Sequence, residues 1–215
     1  MKAIDIQKPI SYNQRLMSEN TATQNRLKPL VAAALFAALT TIGAQIKIPL
    51  PAGVPMTMQT FFVILSGFLL GSSYGPISQM LYVFAGLLGF PIFAEGGGPA
   101  YILKPTFGYL LGYPLASFPL PSIVLDGLRS ADFMANRYHL GTIARTRLFL
   151  AGAAGILAVF IPGVSYLYFA TNYILQVAAP FVDLLSAGFL IFIPGDLVKL
   201  TAIVMFVSVW AIKKK

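Results

Sequence analysis

Two ionisable residues, Asp196 and Lys199, stand inside an apolar stretch near the end of this sequence, just after Pro194-Gly195. Charge within a membrane-length apolar run is costly, so such residues are functional candidates by default. Proline suits the first turn of a helix, and the helix dipole favours a carboxylate in that turn. Being three residues apart, the two side chains share one helix face. The carboxylate accepts N–H donors and the ammonium donates to oxygens. Together they suit an amide, a urea or a carboxylate. The same residues also make a local ion pair and a helix cap, and position alone does not separate the two readings.

Other candidates surround this pair. The segment Lys47–Met58 holds Pro49, Pro51, Pro55 and Gly53. No regular helix runs through it, and irregular backbone at membrane depth survives only against protein or water. It is a candidate lid. Gln59 follows, an amide entering an apolar run, suited either to a ligand or to a hydrogen bond between helices. The run Glu95-Gly96-Gly97-Gly98-Pro99 permits close approach of backbone to a ligand, with Glu95 and Gly97 the residues of interest, and equally permits a flexible turn. Tyr82, Tyr101, Tyr109 and Tyr113 are packing aromatics or the wall of an apolar pocket. There is no cysteine and one histidine, His139, which leaves no thiolate site, no histidine cluster and no Ser-His-Asp triad. No phosphate-binding glycine motif is present, since the required lysine spacing is missing.

The elements that must position these residues are membrane helices. Of 215 residues, 57% are hydrophobic and 10% charged, and the mean hydropathy is +0.78. Soluble domains are about 45–50% apolar and about 25% charged. A bilayer core of about 30 Å needs about 20 apolar residues as a helix. Six such spans are expected in an all-α bundle: Leu30–Ile46, Pro55–Gly71, Pro76–Phe93, Tyr101–Leu125, Leu148–Phe169 and Pro194–Ile212. The domain is residues 30–212, between a polar tail (1–29) and a basic C-terminus (213–215). Gln176–Ile193 reads as a loop with a short interfacial helix; a seventh span is the alternative.

The net charge is +8. Its cations lie between apolar runs and at the ends, as at a cytoplasmic membrane face, so nucleic acid is not an expected partner. Lys2, Lys8, Arg15, Arg26 and Lys28 precede the first span; Arg129, Arg137, Arg145 and Arg147 lie between the fourth and fifth; Lys213–Lys215 end the chain. Six spans put all of them on one side and only Lys47 and Lys104 on the other. Both termini are then cytoplasmic. Gly67, Gly71 and Gly75, and Gly108 with Gly112, recur at four-residue spacing, which suits close helix packing in lipid. Ala33, Ala34, Ala37 and Ala38 form a smooth ridge on the first helix, suited to internal packing or to docking of a partner helix.

Several ordered segments carry a resemblance: Ile48-Pro49-Leu50, Val54-Pro55-Met56-Thr57-Met58-Gln59-Thr60-Phe61, Gly89-Phe90-Pro91-Ile92-Phe93, Pro105-Thr106-Phe107-Gly108-Tyr109 and Ile193-Pro194-Gly195-Asp196-Leu197-Val198-Lys199. From Leu30 to Ile212 the chain resembles the BioY family, the biotin-binding subunits of energy-coupling factor transporters. The resemblance implies a multi-pass subunit of a prokaryotic cell membrane that takes biotin from outside. It implies partners as well: a transmembrane coupling protein and two cytoplasmic ATPases, docked through Ala33, Ala34, Ala37 and Ala38. Ligand contacts carry over to Asp196 and Lys199, and beyond them to Gln59, Tyr82, Glu95 and Gly97. The chain departs from the family pattern at Glu95, where a small or amide residue is usual, and at Phe107-Gly108, where two glycines are.

The resemblance implies a mechanism. A urea N–H of biotin would meet Asp196, an oxygen would meet Lys199, and the segment Lys47–Met58 would close over the ligand. Biotin is the transported ligand; no cofactor or metal is implied, and no enzyme activity. The rivals are a binding subunit for another vitamin and a self-sufficient secondary transporter, together with a membrane enzyme and an assembly protein that binds no small molecule.

Overall fold

The computed structural model describes residues 12–50, 54–118 and 142–213. Helix α1 spans Tyr12–Gln45. The expected polar tail is therefore helical from Tyr12, with Pro29 inside the helix. Polarity does not break a helix, and residues 12–28 contain neither glycine nor proline. The helix of 34 residues is about 50 Å long, which exceeds a bilayer core.

The segment after α1 is non-helical, as expected, and its two ends pair as a small hairpin while its other described residues stay irregular. Strand β1 (Lys47–Ile48) pairs antiparallel with β2 (Met56–Thr57), in register Lys47↔Thr57 and Ile48↔Met56. The Met58 amide donates to the Gly43 and Ile46 carbonyls at 3.0 and 3.1 Å, which fixes the hairpin on the end of α1.

Helix α2 (Gln59–Leu87) is one continuous element in name only. Gln59 and Tyr82 are hydrogen-bonded at 2.6 Å. On a straight helix, residues 23 apart in sequence lie about 35 Å apart. The chain therefore doubles back, and it turns at Gly71, whose φ of 73° and ψ of −169° are not helical. Such backbone suits glycine. The two arms, 59–70 and 72–87, stand where the second and third spans were expected. The first arm starts four residues later than expected, because Met56 and Thr57 are in the hairpin. The second stops at Leu87, ahead of Gly89-Phe90-Pro91.

A 3-10 turn (Pro99–Leu103) leads into α3 (Phe107–Ser117). The fourth span was expected from Tyr101; its α-helix starts six residues later, after Pro105. It ends before Phe118, which is extended because it precedes Pro119. Residues 119–125 of that expected span, Arg129, Arg137 and His139 lie outside the described residues, as do residues 1–11 and 214–215 of the terminal segments. Helix α4 (Thr142–Phe169) continues into a π-helical turn, Ala170–Ile174. The short helix expected in the next loop is α5 (Phe181–Gly188); after a 3-10 turn comes α6 (Ile193–Lys213).

Among the described residues, four stretches are long and apolar enough to cross a membrane: Leu27–Gln45, Gln59–Leu87, Arg145–Ile174 and Phe181–Val209. Helix α1 packs on α2, α2 on α3 and α3 on α4, while α6 touches both α2 and α4. The core includes Val63, Ile64, Phe68, Leu148, Val159, Leu200, Ile203 and Val207. Large apolar side chains cover the outside, among them Val31, Leu35, Ile161, Val198 and Met205. Water would penalise such a surface, whereas lipid is a natural solvent for it.

The glycine spacing divides by role. A Cβ on Gly108 would sit 2.5 Å from the Pro162 carbonyl, and one on Gly112 would sit 2.6 Å from the Val159 Cα. These two let α3 lie directly on α4. Gly71 faces open space and serves the turn instead. The alanine ridge divides too. Ala33 and Ala37 are buried in the bundle, while Ala34 and Ala38 face outward.

Candidate functional site

The first turn of α6 brings Asp196 against the hairpin and the head of α2. The carboxylate is buried. Its Oδ1 receives the Lys199 ammonium at 2.7 Å and the Thr60 hydroxyl at 3.2 Å. Lys199 also donates to the Thr57 carbonyl at 2.7 Å and to Thr60 Oγ1 at 3.0 Å. An ammonium has three donors, so Lys199 is saturated. Asp196 Oδ2 is buried with no partner among the described residues. An unmet buried acceptor costs about 1–3 kcal/mol, and more when charged. The ion-pair reading from sequence is met by this geometry. It is a local ion pair, and it leaves one carboxylate oxygen open to an N–H donor.

Gln59 is the second polar group. Its Oε1 accepts from the Thr57 hydroxyl at 2.9 Å and its Nε2 donates to the Tyr82 phenol at 2.6 Å. Tyr82 in turn donates to the Ile92 carbonyl at 3.1 Å. Tyr82 stands behind Gln59 and holds it in place, and is not itself a wall of the cavity.

Asp196, Lys199 and Gln59 line a partly open cavity, with about 540 Å³ of space in it and its open mouth together. Asp196, Lys199, Gln59, Thr57 and Thr60 supply most of the polar lining. Tyr101, Tyr109 and Tyr113 supply aromatic wall, and Val54 and Pro55 of the hairpin close one side. The tyrosines are braced rather than loose. The Tyr109 hydroxyl donates to the Gly188 carbonyl at 2.8 Å, and Tyr113 stacks on Tyr82 with centroids 6.2 Å apart.

Glu95 and Gly97 do not line the cavity. Glu95 pairs with Lys104 at 3.3 Å, both side chains partly in solvent. Gly97 packs so tightly that a Cβ would meet the Phe90 carbonyl at 2.0 Å. The glycine run seats its loop on the end of α2, where the Gly98 amide donates to the Gly86 carbonyl at 2.7 Å. Sequence reasoning quoted Thr57 and Thr60 only within the run Val54–Phe61 and did not single them out, yet both line the cavity. Their places on either side of Gln59, one in β2 and one in the first turn of α2, were the available signal.

Fold and site together define a class: a helical membrane protein with a cavity among its described residues that is apolar and aromatic on most sides and polar on one. The model of the BioY family matches residues 15–215. The chain belongs to the BioY family. It is 40% identical over 167 residues, 78% of each chain, to the "Probable biotin transporter BioY" of Lysinibacillus sphaericus. It is 34% identical over 175 residues to the "Biotin transporter BioY" of Thermotoga maritima, covering 81% of this chain and 90% of that one. A solved structure, the S-component for biotin from an ECF-type ABC transporter, superposes with a TM-score of 0.69 at 26% identity, over 89% of this chain and 94% of that one.

Proposed function

We propose that this chain is the biotin-binding subunit of an energy-coupling factor importer, and that biotin is held by a urea N–H on Asp196 Oδ2. The observation that carries the reading is that oxygen, buried and unpartnered at the cavity. A urea is rigid and presents N–H groups beside an apolar bicycle, which matches one open acceptor between aromatic walls. The names of the relatives support the same ligand. Because Lys199 is saturated, a ligand oxygen reaches it only by displacing the Thr57 carbonyl or sharing with it. The cavity lies at the hairpin end of the bundle, with Lys47 and Lys104. In the six-span reading that end faces outward and both termini are cytoplasmic.

Calorimetric titration of the purified chain in detergent tests the ligand. Biotin is expected to bind near one-to-one, with thiamine and riboflavin silent. A folded, ligand-free sample that gives no biotin heat rejects the assignment.

The energy source in this reading is a separate coupling protein with two ATPases. The outward half of the alanine ridge, Ala34 and Ala38, is the surface offered to it. Leucine at both positions should abolish co-purification with the coupling protein and leave biotin binding unchanged. Undiminished co-purification would remove this surface from the interface.

A further inference from the structure

The charges around the cavity do not cancel. Asp196 and Lys199 neutralise each other at 2.7 Å. Glu95 and Lys104 do so at the rim, at 3.3 Å. Lys47 is left over. Its ammonium donates to the Ala94 carbonyl at 2.6 Å, and no acidic partner meets it among the described residues. One protein acceptor for three donors leaves two N–H groups facing solvent, since Lys47 is exposed.

Its position matters as much as its charge. Ala94 lines the cavity, and so does Thr57, the residue paired with Lys47 across the hairpin. Lys47 is exposed and does not itself line the cavity; it stands on the seam where the hairpin meets the Phe93–Gly96 turn, beside two lining residues. Asp196 and Lys199 reach the cavity from α6. A ligand whose N–H group meets Asp196, and which carries an anionic chain, has one uncompensated cation available to that chain.

We propose that Lys47 holds the carboxylate at the far end of the substrate and so selects an anionic ligand over a neutral one. This rests on the biotin reading above, and adds the group that recognises the tail. A charge-assisted hydrogen bond at a partly open rim is expected to contribute roughly a tenfold preference.

The test compares biotin with its carboxamide, which keeps the bicycle and chain and loses only the charge. Both are titrated into wild-type protein, Lys47→Met and Lys47→Arg. Wild type should bind biotin about tenfold more tightly than the amide. Lys47→Met should remove that preference by weakening biotin alone, and Lys47→Arg should restore much of it. Added salt should weaken biotin binding more than amide binding in wild type, and equally in Lys47→Met. A wild type that binds both ligands equally overturns the proposal. So does a Lys47→Met variant that weakens both alike, since that marks a strut between hairpin and turn. Binding of neither ligand to wild type overturns the biotin reading itself, and this proposal with it.

Discussion

Asp196→Ala is expected to weaken biotin binding by at least about 10- to 150-fold, the equivalent of one charge-assisted hydrogen bond of roughly 1.5–3 kcal/mol. The change removes Oδ2, the open acceptor, and Oδ1, the anchor of Lys199. The fold should survive, because the ammonium keeps the Thr57 carbonyl and the Thr60 hydroxyl. Asp196→Asn refines the result. It keeps the shape and loses the charge, so it should fall between wild type and alanine. Calorimetry gives the dissociation constants, and thermal unfolding in the same detergent shows that the samples are folded. Wild-type affinity in Asp196→Ala would remove the carboxylate from the binding site.

The other large effect concerns stability. Gly112→Leu is expected to lower the unfolding temperature markedly. Even the first carbon of the new side chain would stand 2.6 Å from the Val159 Cα and 2.7 Å from the Ala158 carbonyl. Both are backbone atoms, so no change of rotamer relieves the clash, and α3 must move away from α4. Overpacking of this kind costs about 1–3 kcal/mol, and more where the backbone resists. Leu111→Ala, one residue away on an exposed position, should change little. Equal unfolding temperatures for Gly112→Leu and wild type would mean that the two helices do not lie this close.

The sequence made some of this legible and hid the rest. Apolar runs of membrane length locate α1, α4 and α6 to within several residues over their apolar portions, because lipid imposes one composition on whatever crosses it. The hairpin was not legible. Two-residue strands pair through backbone groups, and their side chains carry no alternation to read. The turn at Gly71 was legible only as a gap between expected spans.

At the site, Asp196, Lys199 and Gln59 stood out because polar groups are rare in apolar runs. Thr57 and Thr60 did not, since threonine is common and often satisfies its hydroxyl on its own helix. Tyr82 lies behind the wall, while Tyr109 and Tyr113 form it, and residue type cannot tell those positions apart. Glu95 and Gly97 belong to loop packing and to a surface ion pair, although a glycine run beside a carboxylate suggests ligand contact just as well.

The fold-back of α2 bears on how the site is assembled. Its internal links, Gln79 to Ser66 and Gln59 to Tyr82, join residues 13 and 23 apart. Short loops cost little entropy to close, so these links are cheap to make, and the pair they hold presents Gln59 and Thr60 to the cavity. The contacts that finish the cavity are of another kind. Lys199 reaches Thr57 across 142 residues, and Thr60 reaches Asp196 across 136. They require α6 to be docked on the head of α2. A ligand that needs Asp196 therefore requires α6 to be docked, and its binding energy adds to that docking.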